Sequence, residues 1–525
     1  MSIRGILFLL YQVVVIATII HVLMDNRQQA KTVAWALVIW FVPVVGILAY
    51  IFFGVNIRRE RMVGRRSMDQ LTKRSMLQFV EQRDLQLPDA HKPVIDLFVN
   101  ESFSLPFGGN KVDILTSGYE FFPSLLRDIS LATSHVHIGV YIFEDDALGH
   151  LIADALIAKA QQGVEVRLVY DDVGCWQVAN SFFERMRREG IEAEPFMPVR
   201  FPSFARRANY RNHRKVFVID GRVGYIGGMN IAVRYVKGGK GNEEVKEVKE
   251  VKELSSWRDT MLRVEGRGVY SLQRTFLIDW YFVDRTLLSD RKYYPQFIDH
   301  SPLTIDHSDA QPTVNGQWSM FNGQWSMFNG QCSMFNGQCS MFNATVQTVT
   351  SGPTSPYPEI MQGFVRIIMA ARSYVYIETP YFLPTSVVLY AMKSAAQSGV
   401  DVRLLVPARG DARFIDWASR SYLREATDAG IKVSFYQTGF LHSKLLVCDD
   451  SVCTCGSTNV DFRSFENNFE ANTFFYDETL AREFRQIFLN DEAQSITLNK
   501  SPKFQDTHFI ARLGESLTRL FSPLL

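Results

Sequence analysis

The strongest constraint on this chain is a motif that occurs twice, with 229 positions between the copies. Each copy reads His-x-Lys, four residues, Asp, six residues, Gly, two residues, Asn. The matching pairs are His213 and His442, Lys215 and Lys444, Asp220 and Asp449, Gly227 and Gly456, and Asn230 and Asn459. Identical spacing of five residue types predicts an internal duplication, in which each half of the chain contributes one half of a single site.

The residues around each motif predict how its side chains are presented. The apolar runs 216–219 and 445–447 are typical of buried strands. Side chains two positions apart on a strand share a face, so His213 and Lys215 are expected to point at one spot. Asp220 and Asp449 lie an odd number of positions from their lysines and are expected to face away, holding the structure by hydrogen bonds. Two such halves would place two imidazoles and two ammonium groups around one anion.

That set of side chains suits phosphoryl transfer on a phosphodiester. Fixed ammonium and amide groups can stabilise the negative charge that grows in the transition state. One imidazole can attack phosphorus and form a covalent intermediate. The other can protonate the leaving alkoxide and then deprotonate the incoming hydroxyl.

The paired motif resembles the double HxKxxxxD signature of the phospholipase D superfamily, and its surroundings resemble bacterial cardiolipin synthases. The segments that carry the second likeness are residues 170–174, 225–232, 379–382, 417–422 and 463–470. The resemblance extends over nearly the whole chain, except for two inserts of short repeats.

The resemblance implies transfer of a phosphatidyl group from one phosphatidylglycerol to another, giving cardiolipin and glycerol through a phosphohistidine. Phosphatidylglycerol and membrane lipids are then the partners, and neither a cofactor nor a metal is expected. The implied catalytic residues are His213, Lys215, Asp220, His442, Lys444 and Asp449. The near symmetry of the halves leaves the roles open, and we assign His213 as nucleophile and His442 as general acid and base.

Supporting residues follow from the same likeness. Those expected beside the phosphate are Gly228, Asn230, Ser457 and Asn459. Superfamily members place an acid after the second motif to orient a histidine, and Glu470, 11 residues after Asn459, fits this position. The first half has Gly241 at that offset. Asp259 is the candidate there if the adjacent insert displaced it, although a plain surface acid is the alternative.

The order of elements also repeats, since residues 136–138 match 375–377 and residues 163–169 match 399–405. Strands that alternate with helices predict an α/β fold. We expect two duplicated lobes with mixed, mostly parallel sheets flanked by helices, after an N-terminal two-helix transmembrane hairpin. The expected boundaries are 1–56 for the hairpin, 57–108 for a basic juxtamembrane linker, 109–300 for the first lobe, 301–345 for a low-complexity linker, 346–500 for the second lobe and 501–525 for an amphipathic tail.

Residues 5–24 and 32–55 carry no charge, and each run is long enough to cross a hydrocarbon layer of about 30 Å. Seven Lys and Arg residues follow between 58 and 74, whereas the connection at 25–31 has two. The positive-inside rule then places both lobes in the cytoplasm. The resemblance implies that the membrane is the inner membrane of a bacterial cell. The basic cluster also suits contact with anionic headgroups.

Three segments carry weaker predictions. A Val-Lys-Glu repeat at 244–253 and four copies of a heptapeptide at 315–342 are expected to be tolerated loops, since glycine in every heptapeptide opposes a helix. The tail at 509–521 has apolar residues at helical spacing. Packing on a core and contact with a membrane are both open for it.

Composition limits the competing functions. The formal net charge is +1, which argues against a nucleic-acid-binding protein and hence against a nuclease. The six cysteines form no CxxC pair, and a reducing compartment with buried fillers such as Cys175 and Cys448 is expected. The remaining alternatives are a phospholipase D-type hydrolase and, in another class, a non-catalytic membrane scaffold. The oligomeric state stays open.

Overall fold

The computed structural model describes residues 3–25, 29–54, 89–199, 209–237, 257–295, 344–355, 357–410, 413–500, 504 and 509–522, together with short strands between 317 and 339. The basic cluster at 58–74 and the Val-Lys-Glu repeat lie outside the described residues.

The chain begins with a group of apolar helices: α1 (Ile3–Asp25), α2 (Gln29–Phe41), α3 (Pro43–Ala49) and a π-helical turn (Tyr50–Gly54). They pack through a small core that contains Val22, Ile39 and Tyr50, while most other apolar side chains of α1 face outward. Among the described residues, one helix, over Ile3–Met24, is long and apolar enough to cross a membrane.

The second expected span is not one continuous helix. It breaks at Val42, whose φ of −134° is far from helical. The cause is Pro43, because a proline ring disfavours the helical conformation of the residue before it. Helix α2 alone, at 13 residues, is about 20 Å long. At its start, Lys31 Nζ donates a hydrogen bond to Asn467 Oδ1 of the second lobe at 3.0 Å.

Helix α4 (Lys92–Ser102) leads into the first lobe. The strands of this lobe are β1 (Phe107–Leu115), β2 (His135–Val140), β3 (Glu165–Asp171), β4 (Glu192–Phe196), β5 (Val216–Ile219), β6 (Val223–Gly227) and β7 (Met261–Glu265). Its helices are α5 (Gly118–Leu131), α6 (Ala147–Gln161), α7 (Asn180–Arg188), α8 (Arg234–Lys237) and α9 (Val269–Asp284).

Four short strands lie within the heptapeptide repeat: β8 (Gln317–Phe321), β9 (Gln324–Phe328), β10 (Met334–Phe335) and β11 (Gln338–Cys339). Strand β8 pairs with β9, and β10 with β11, in antiparallel hairpins separate from the large sheet. The repeat therefore forms local hairpins, in keeping with its glycines and its lack of helical propensity.

The second lobe repeats the order of the first. Its strands are β12 (Ala344–Ser351), β13 (Tyr374–Glu378), β14 (Phe382–Leu383), β15 (Asp401–Pro407), β16 (Lys432–Tyr436), β17 (Leu445–Cys448), β18 (Val452–Gly456), β19 (Val460–Asp461), β20 (Glu470–Phe475) and β21 (Ser495–Thr497). Its helices are α10 (Glu359–Ala370), α11 (Ser386–Gln397), α12 (Arg413–Asp428), α13 (Phe462–Glu466), α14 (Glu478–Ala493) and, at the end, α15 (Phe509–Leu520).

Local signals explain why matching helices begin and end alike. The Asp146 carboxylate caps α6 by accepting from Gly149 N at 2.8 Å, and Thr385 caps α11 in the same way. Just beyond their ends, Gly163 and Gly399 adopt φ of 85° and 92°, which a residue without Cβ tolerates best.

One 15-stranded sheet runs through both lobes, in the order β21-β16-β15-β13-β17-β18-β20-β12-β1-β7-β6-β5-β2-β3-β4. The fold class, two α/β lobes with mixed sheets, is confirmed, but the expectation that parallel pairs predominate is wrong. Within this sheet only β2-β3-β4 and β13-β15-β16 are parallel. Each motif strand instead turns back through a tight hairpin, in which Asp220 and Asp449 have φ of 52° and 50°, and a hairpin imposes antiparallel pairing.

The lobes join at the centre of the sheet, where β1 pairs antiparallel with β12. Asn110 reinforces the join because its Nδ2 donates to Ala344 O at 3.0 Å. Helix α4 lies inside the segment expected to be a linker, yet it belongs to the second lobe. Its Phe98 is fully buried, 4.6 Å from the ring of Phe474. Apolar burial thus fixes α4 on the lobe that follows later in the chain.

Candidate active site

Both motif histidines stand immediately before their strands, at the seam between the lobes. Each is held there by backbone bonds from the opposite lobe. His213 N donates to Phe469 O at 2.9 Å, and His442 N donates to Arg258 O at 2.7 Å. The duplication therefore brings the two half-sites together through reciprocal exchange of main-chain contacts.

The two histidines line one cleft of about 370 Å³. The described residues that line it are Tyr141, Ile142, Arg211, His213, Asn230, Arg234, Tyr235, Trp257, Tyr381, Leu383, Ile415, His442, Asn459, Asp461, Phe462, Arg463, Asn468 and Ser522. Aromatic rings flank both imidazoles: Tyr141 lies 5.1 Å from His213 and Trp257 lies 5.2 Å from His442, between ring centroids. The cleft can accept an anion between the imidazoles and apolar groups beside them.

Glu470 of the second lobe orients His213 of the first. Its Oε1 lies 3.0 Å from His213 Nδ1, and the carbonyl oxygen of Ser457 lies 3.1 Å from the same nitrogen. Because both neighbours are acceptors, the Nδ1 atom carries the proton and Nε2 keeps its lone pair. Burial lowers the pKa of His213, against the opposing pull of Glu470.

Asp259 of the first lobe orients His442 of the second. Its Oδ2 lies 2.6 Å from His442 Nδ1, so Asp259 occupies the place expected for it despite the displaced offset. Lys444 Nζ is also 2.9 Å from that nitrogen, a contact that His213 does not make with Lys215 among the described hydrogen bonds. Burial, followed by the charge of Lys444, lowers the pKa of His442 to about 3.

The two lysines are buried beside these pairs. Lys215 Nζ donates to His213 O at 2.6 Å and lies 5.3 Å from the centre of the Tyr141 ring. Burial lowers the pKa of Lys215 to about 7 and also lowers that of Lys444. The lysines therefore place positive charge behind the histidines, and their lowered pKa values mean that this charge is lost more easily than on an exposed lysine.

A difference between the half-sites explains why one has Gly228 where the other has Ser457. A Cβ on Gly228 would lie 2.1 Å from Asp259 Oδ1, so a side chain there would displace the carboxylate that orients His442. Ser457 instead donates its hydroxyl hydrogen to Glu470. Gly228 thus leaves room for Asp259, and Ser457 holds Glu470 by a hydrogen bond, so both positions keep an orienting acid in place.

The paired asparagines also differ. Asn230 accepts from Ile142 N and donates to the Tyr235 hydroxyl, both at 3.0 Å. The Oδ1 atom of Asn459 is buried and has no hydrogen-bond partner within the described residues. Asn230 is thus held by its own surroundings, whereas Asn459 retains an unused polar atom at the cleft.

Asp220 and Asp449 do not take part in the cleft, which corrects their place among the catalytic residues. Each lies at the far end of its strand, roughly 20 Å of extended chain from the histidine. Asp220 accepts from the backbone N–H groups of Thr133, Ser134 and His135 at 2.8 Å. Asp449 accepts three equivalent backbone bonds, from residues 372–374. Both residues hold the motif hairpin to the neighbouring strand, as their odd spacing from lysine indicates.

Sequence reasoning missed two arginines of the cleft. Arg234 and Arg463 both line it and lie four residues after Asn230 and Asn459. They are therefore separated by the same 229 positions as the rest of the motif, and this offset could have identified them. Arg234 pairs with Glu144 and packs over the Trp257 ring. Within the described residues, no group of three or more His, Cys, Asp or Glu side chains is arranged to hold a metal ion.

Known proteins are similar to this one over nearly the full chain. The family model described as "Cardiolipin synthase, PLD-like domain" matches residues 125–262 and 364–492, and a "Phospholipase_D-nuclease N-terminal" model matches residues 13–54. Cardiolipin synthase 1 of Staphylococcus epidermidis is 33% identical, covering 98% of this chain and 96% of that protein. The major cardiolipin synthase ClsA of Bacillus subtilis is 32% identical, with 100% of each chain covered.

Among solved structures, phosphatidylserine synthase of Haemophilus influenzae superposes with a TM-score of 0.57 at 14% identity, covering 82% of this chain and all of that one. This likeness concerns the fold. The matches across both lobes and the N-terminal helices, together with two histidine–acid pairs at one cleft, show that the chain belongs to the cardiolipin synthase family of phospholipase D-like proteins.

Proposed function

We propose that this protein is a cardiolipin synthase, which joins two phosphatidylglycerol molecules into cardiolipin and releases glycerol through a phosphohistidine intermediate. The observation that carries the proposal is the reciprocal orientation of two histidines at one cleft, each by an acid of the opposite lobe. Such an arrangement provides a nucleophile and a separate proton donor on the two sides of one phosphorus atom.

In the first half-reaction, His213 Nε2 attacks the phosphorus of the donor lipid. A P–N bond forms, the bond between phosphorus and the headgroup glycerol oxygen breaks, and that oxygen takes a proton from His442. We assign the attack to His213 because Glu470 and the Ser457 carbonyl both stabilise the positive charge that the phosphorylated ring carries. The ammonium of Lys444, beside His442 Nδ1, would oppose that charge.

In the second half-reaction, neutral His442 removes the proton from a hydroxyl of the second phosphatidylglycerol. The hydroxyl oxygen attacks phosphorus, the P–N bond breaks, and cardiolipin leaves. Because the pKa of His442 is lowered, its ring is neutral near physiological pH and can accept this proton. The negative phosphate of a bound donor raises that pKa, which allows the ring to hold a proton for the first half-reaction.

Positive groups of the cleft stabilise the phosphates of both lipids. Lys215 and Lys444 lie against the histidine pairs and offset the charge that develops on the reacting phosphate. The acceptor lipid brings a second phosphate, close to its reacting hydroxyl. Arg234 and Arg463, on the cleft wall and related by the duplication, are the groups we assign to it.

The rival within the same chemistry is hydrolysis, in which water replaces the acceptor lipid. The experiment supplies purified protein with phosphatidylglycerol labelled in its headgroup glycerol, in vesicles, with and without EDTA. Cardiolipin and free glycerol in equal amounts, unaffected by EDTA, are the expected products. Phosphatidic acid in place of cardiolipin would identify a hydrolase, and no product at all would favour a non-catalytic scaffold.

The family and helix α1 make the protein membrane-associated. We propose the finer arrangement that both apolar segments cross the bilayer and that the lobes lie in the cytoplasm, supported by the basic residues after the second segment. The contact between Lys31 and Asn467 favours a second arrangement, since it requires the helix connection and the second lobe to lie on one side.

A further inference from the structure

The final helix, α15, packs with its polarity reversed. Its polar residues Glu515 and Thr518 are buried, at 5% and 9% exposure. Its leucines face solvent, with 48% exposure at Leu513, 50% at Leu517 and 56% at Leu520. A helix packed on a soluble core shows the opposite pattern. The sequence left open whether the tail packs on a core, and the structure shows that its apolar stripe does not.

The buried polar face is a built contact with helix α12. Glu515 accepts from Arg424 at 3.3 Å and lies 3.8 Å from Arg420. Arg519 pairs with Glu425 and stacks over the Tyr422 ring at 4.1 Å. These bonds fix the rotation of α15 about its axis and so hold its apolar side outward.

Helix α12 extends the apolar side of α15. Phe414 and Trp417 are each 47% exposed, and a Cβ on Gly514 would come within 3.1 Å of the Trp417 ring. We use the term outer apolar face for the exposed apolar side chains of the two helices and of the residue that follows α15, which are Phe414, Trp417, Phe509, Leu513, Leu517, Leu520 and Phe521. A continuous exposed patch of this kind marks a surface with an apolar partner.

The outer apolar face adjoins the catalytic cleft. Ile415, next to Phe414, and Ser522, next to Phe521, both line the cleft. The face therefore forms part of the rim through which a substrate enters.

We propose that the outer apolar face inserts into the bilayer interface and seats the cleft against the lipid surface. The identification of a bilayer as the partner of this face rests on the proposed function. The substrates would be two-chain lipids, and they must reach a cleft whose rim adjoins this face. Here Trp417 of α12 lies beside the exposed leucines of the amphipathic helix α15, and this combination of side chains is typical of interfacial insertion. The anchoring by α1 keeps the protein at the membrane, and the outer apolar face sets the orientation of the lobes.

The test measures lipid contact without catalysis. A full-length variant with Cys332 and Cys339 replaced by Ser receives an environment-sensitive fluorophore at Leu517→Cys or, as control, at Ser130→Cys on exposed helix α5. In phosphatidylglycerol vesicles, lipids carrying a nitroxide on the acyl chain should quench the label at position 517 and leave the one at position 130 unchanged. A label at 517 that stays in water, or one shielded from water but not quenched by lipid, would overturn the proposal.

A second measurement separates docking from catalysis. Leu513→Ser, Leu517→Ser and Leu520→Ser combined should reduce kcat/KM at least tenfold on phosphatidylglycerol in vesicles and leave it unchanged on a water-soluble short-chain phosphatidylglycerol. The matched control is Leu131→Ser with Leu151→Ser, two exposed leucines of the first lobe. Equal loss on both substrates would contradict the docking role. Quenching at 517 in a protein with no transferase activity would retain the docking role and reject the proposed reaction.

Discussion

At the scale of single residues, the two histidines differ more than their shared motif suggests. His213 Nδ1 faces two acceptors, whereas His442 Nδ1 faces one acid and one ammonium group. A ring that becomes phosphorylated carries lasting positive charge, and a ring that moves a proton carries it briefly. The environment of His213 suits the first task and that of His442 suits the second.

This assignment predicts different responses to an activated substrate. With a phosphatidyl p-nitrophenyl ester, the leaving group needs no protonation, so His442→Ala should still release one equivalent of nitrophenolate in a burst. His213→Ala should release none, because the P–N bond cannot form. On phosphatidylglycerol both variants should lose at least about 10³-fold in kcat. A burst in His213→Ala and none in His442→Ala would exchange the two roles.

Asp259 and Asp220 have different roles in the structure, so we expect substitution of Asp259 to reduce catalysis and substitution of Asp220 to reduce stability. Asp259→Asn should reduce kcat by about 10²–10⁴-fold, because an amide at 2.6 Å no longer fixes the proton on His442 Nδ1. Asp220→Asn should instead reduce the free energy of unfolding by about 1–3 kcal/mol, since it weakens bonds to three backbone N–H groups, and leave kcat within a few fold. Steady-state kinetics and thermal unfolding on both variants check this. Equal loss of kcat in the two would contradict the structural role of Asp220.

The lowered pKa of Lys215 predicts that both the activity and the stability of the protein depend on pH. Burial lowers its pKa to about 7, from about 10.5 in the unfolded chain. Between these values the unfolded chain binds more protons, so the buried charge destabilises the folded protein fully below pH 7 and progressively less above it. Lys215→Met should therefore raise the melting temperature more at pH 6 than at pH 9. In the native protein kcat/KM should fall as pH rises through about 7, as the ammonium is lost, and a flat profile would contradict its role at the phosphate.

At the scale of elements, repetition in the sequence predicted much of the site. The offset of 229 positions located both histidine–lysine pairs, and the resemblance to the phospholipase D superfamily pointed to Glu470. Asp259 was harder because it does not stand at the matching offset, yet it meets His442 from just before β7, as Glu470 meets His213 from the start of β20. The sequence analysis did not predict that antiparallel pairing predominates. The alternation of strands and helices holds for only three strands of each lobe, and the other strands of the large sheet pair antiparallel.

Long-range packing was the other part that sequence patterns did not reveal. Nothing near helix α4 indicates that Phe98 packs on Phe474, more than 370 positions later. The amphipathic pattern of α15 was visible, but an apolar stripe alone does not show which side is buried. That choice depends on Arg420 and Arg424 of another helix, which hold Glu515 inward.

Because the heptapeptide repeat forms local hairpins, we predict that the protein tolerates a shorter repeat. They pair only within themselves and lie outside the large sheet. Deletion of residues 322–342, three of the four copies, should leave kcat unchanged. Because loop closure depends weakly on length, the free energy of unfolding should change by less than about 1 kcal/mol. Activity and thermal unfolding of the deletion variant provide the measurement, and a tenfold loss of kcat would show that the repeat serves the reaction.

At the scale of the whole molecule, two free-energy contributions decide how the N-terminal helices are arranged: a hydrogen bond to the second lobe and the transfer of apolar side chains into lipid. The bond from Lys31 to Asn467 contributes roughly 1–3 kcal/mol, as hydrogen bonds to charged groups do. Against it stands full insertion of both apolar segments as a hairpin that spans the lipid, in which each central Leu, Ile, Phe or Val contributes about 0.3–0.6 kcal/mol. The second segment has a kink at Pro43, and membrane helices tolerate such kinks.

The sum of apolar transfers exceeds one hydrogen bond, so we predict that both segments cross and that the contact of Lys31 is lost in the bilayer. In cells whose protein has Cys332 and Cys339 replaced by Ser, a membrane-impermeant maleimide applied from outside should label Asn26→Cys in the helix connection. It should label Ser130→Cys of the first lobe only after permeabilisation. Protection of Asn26→Cys until permeabilisation would instead place the connection beside Asn467, with the apolar helices entering the bilayer from the cytoplasmic side and the lipid reaching the cleft along them.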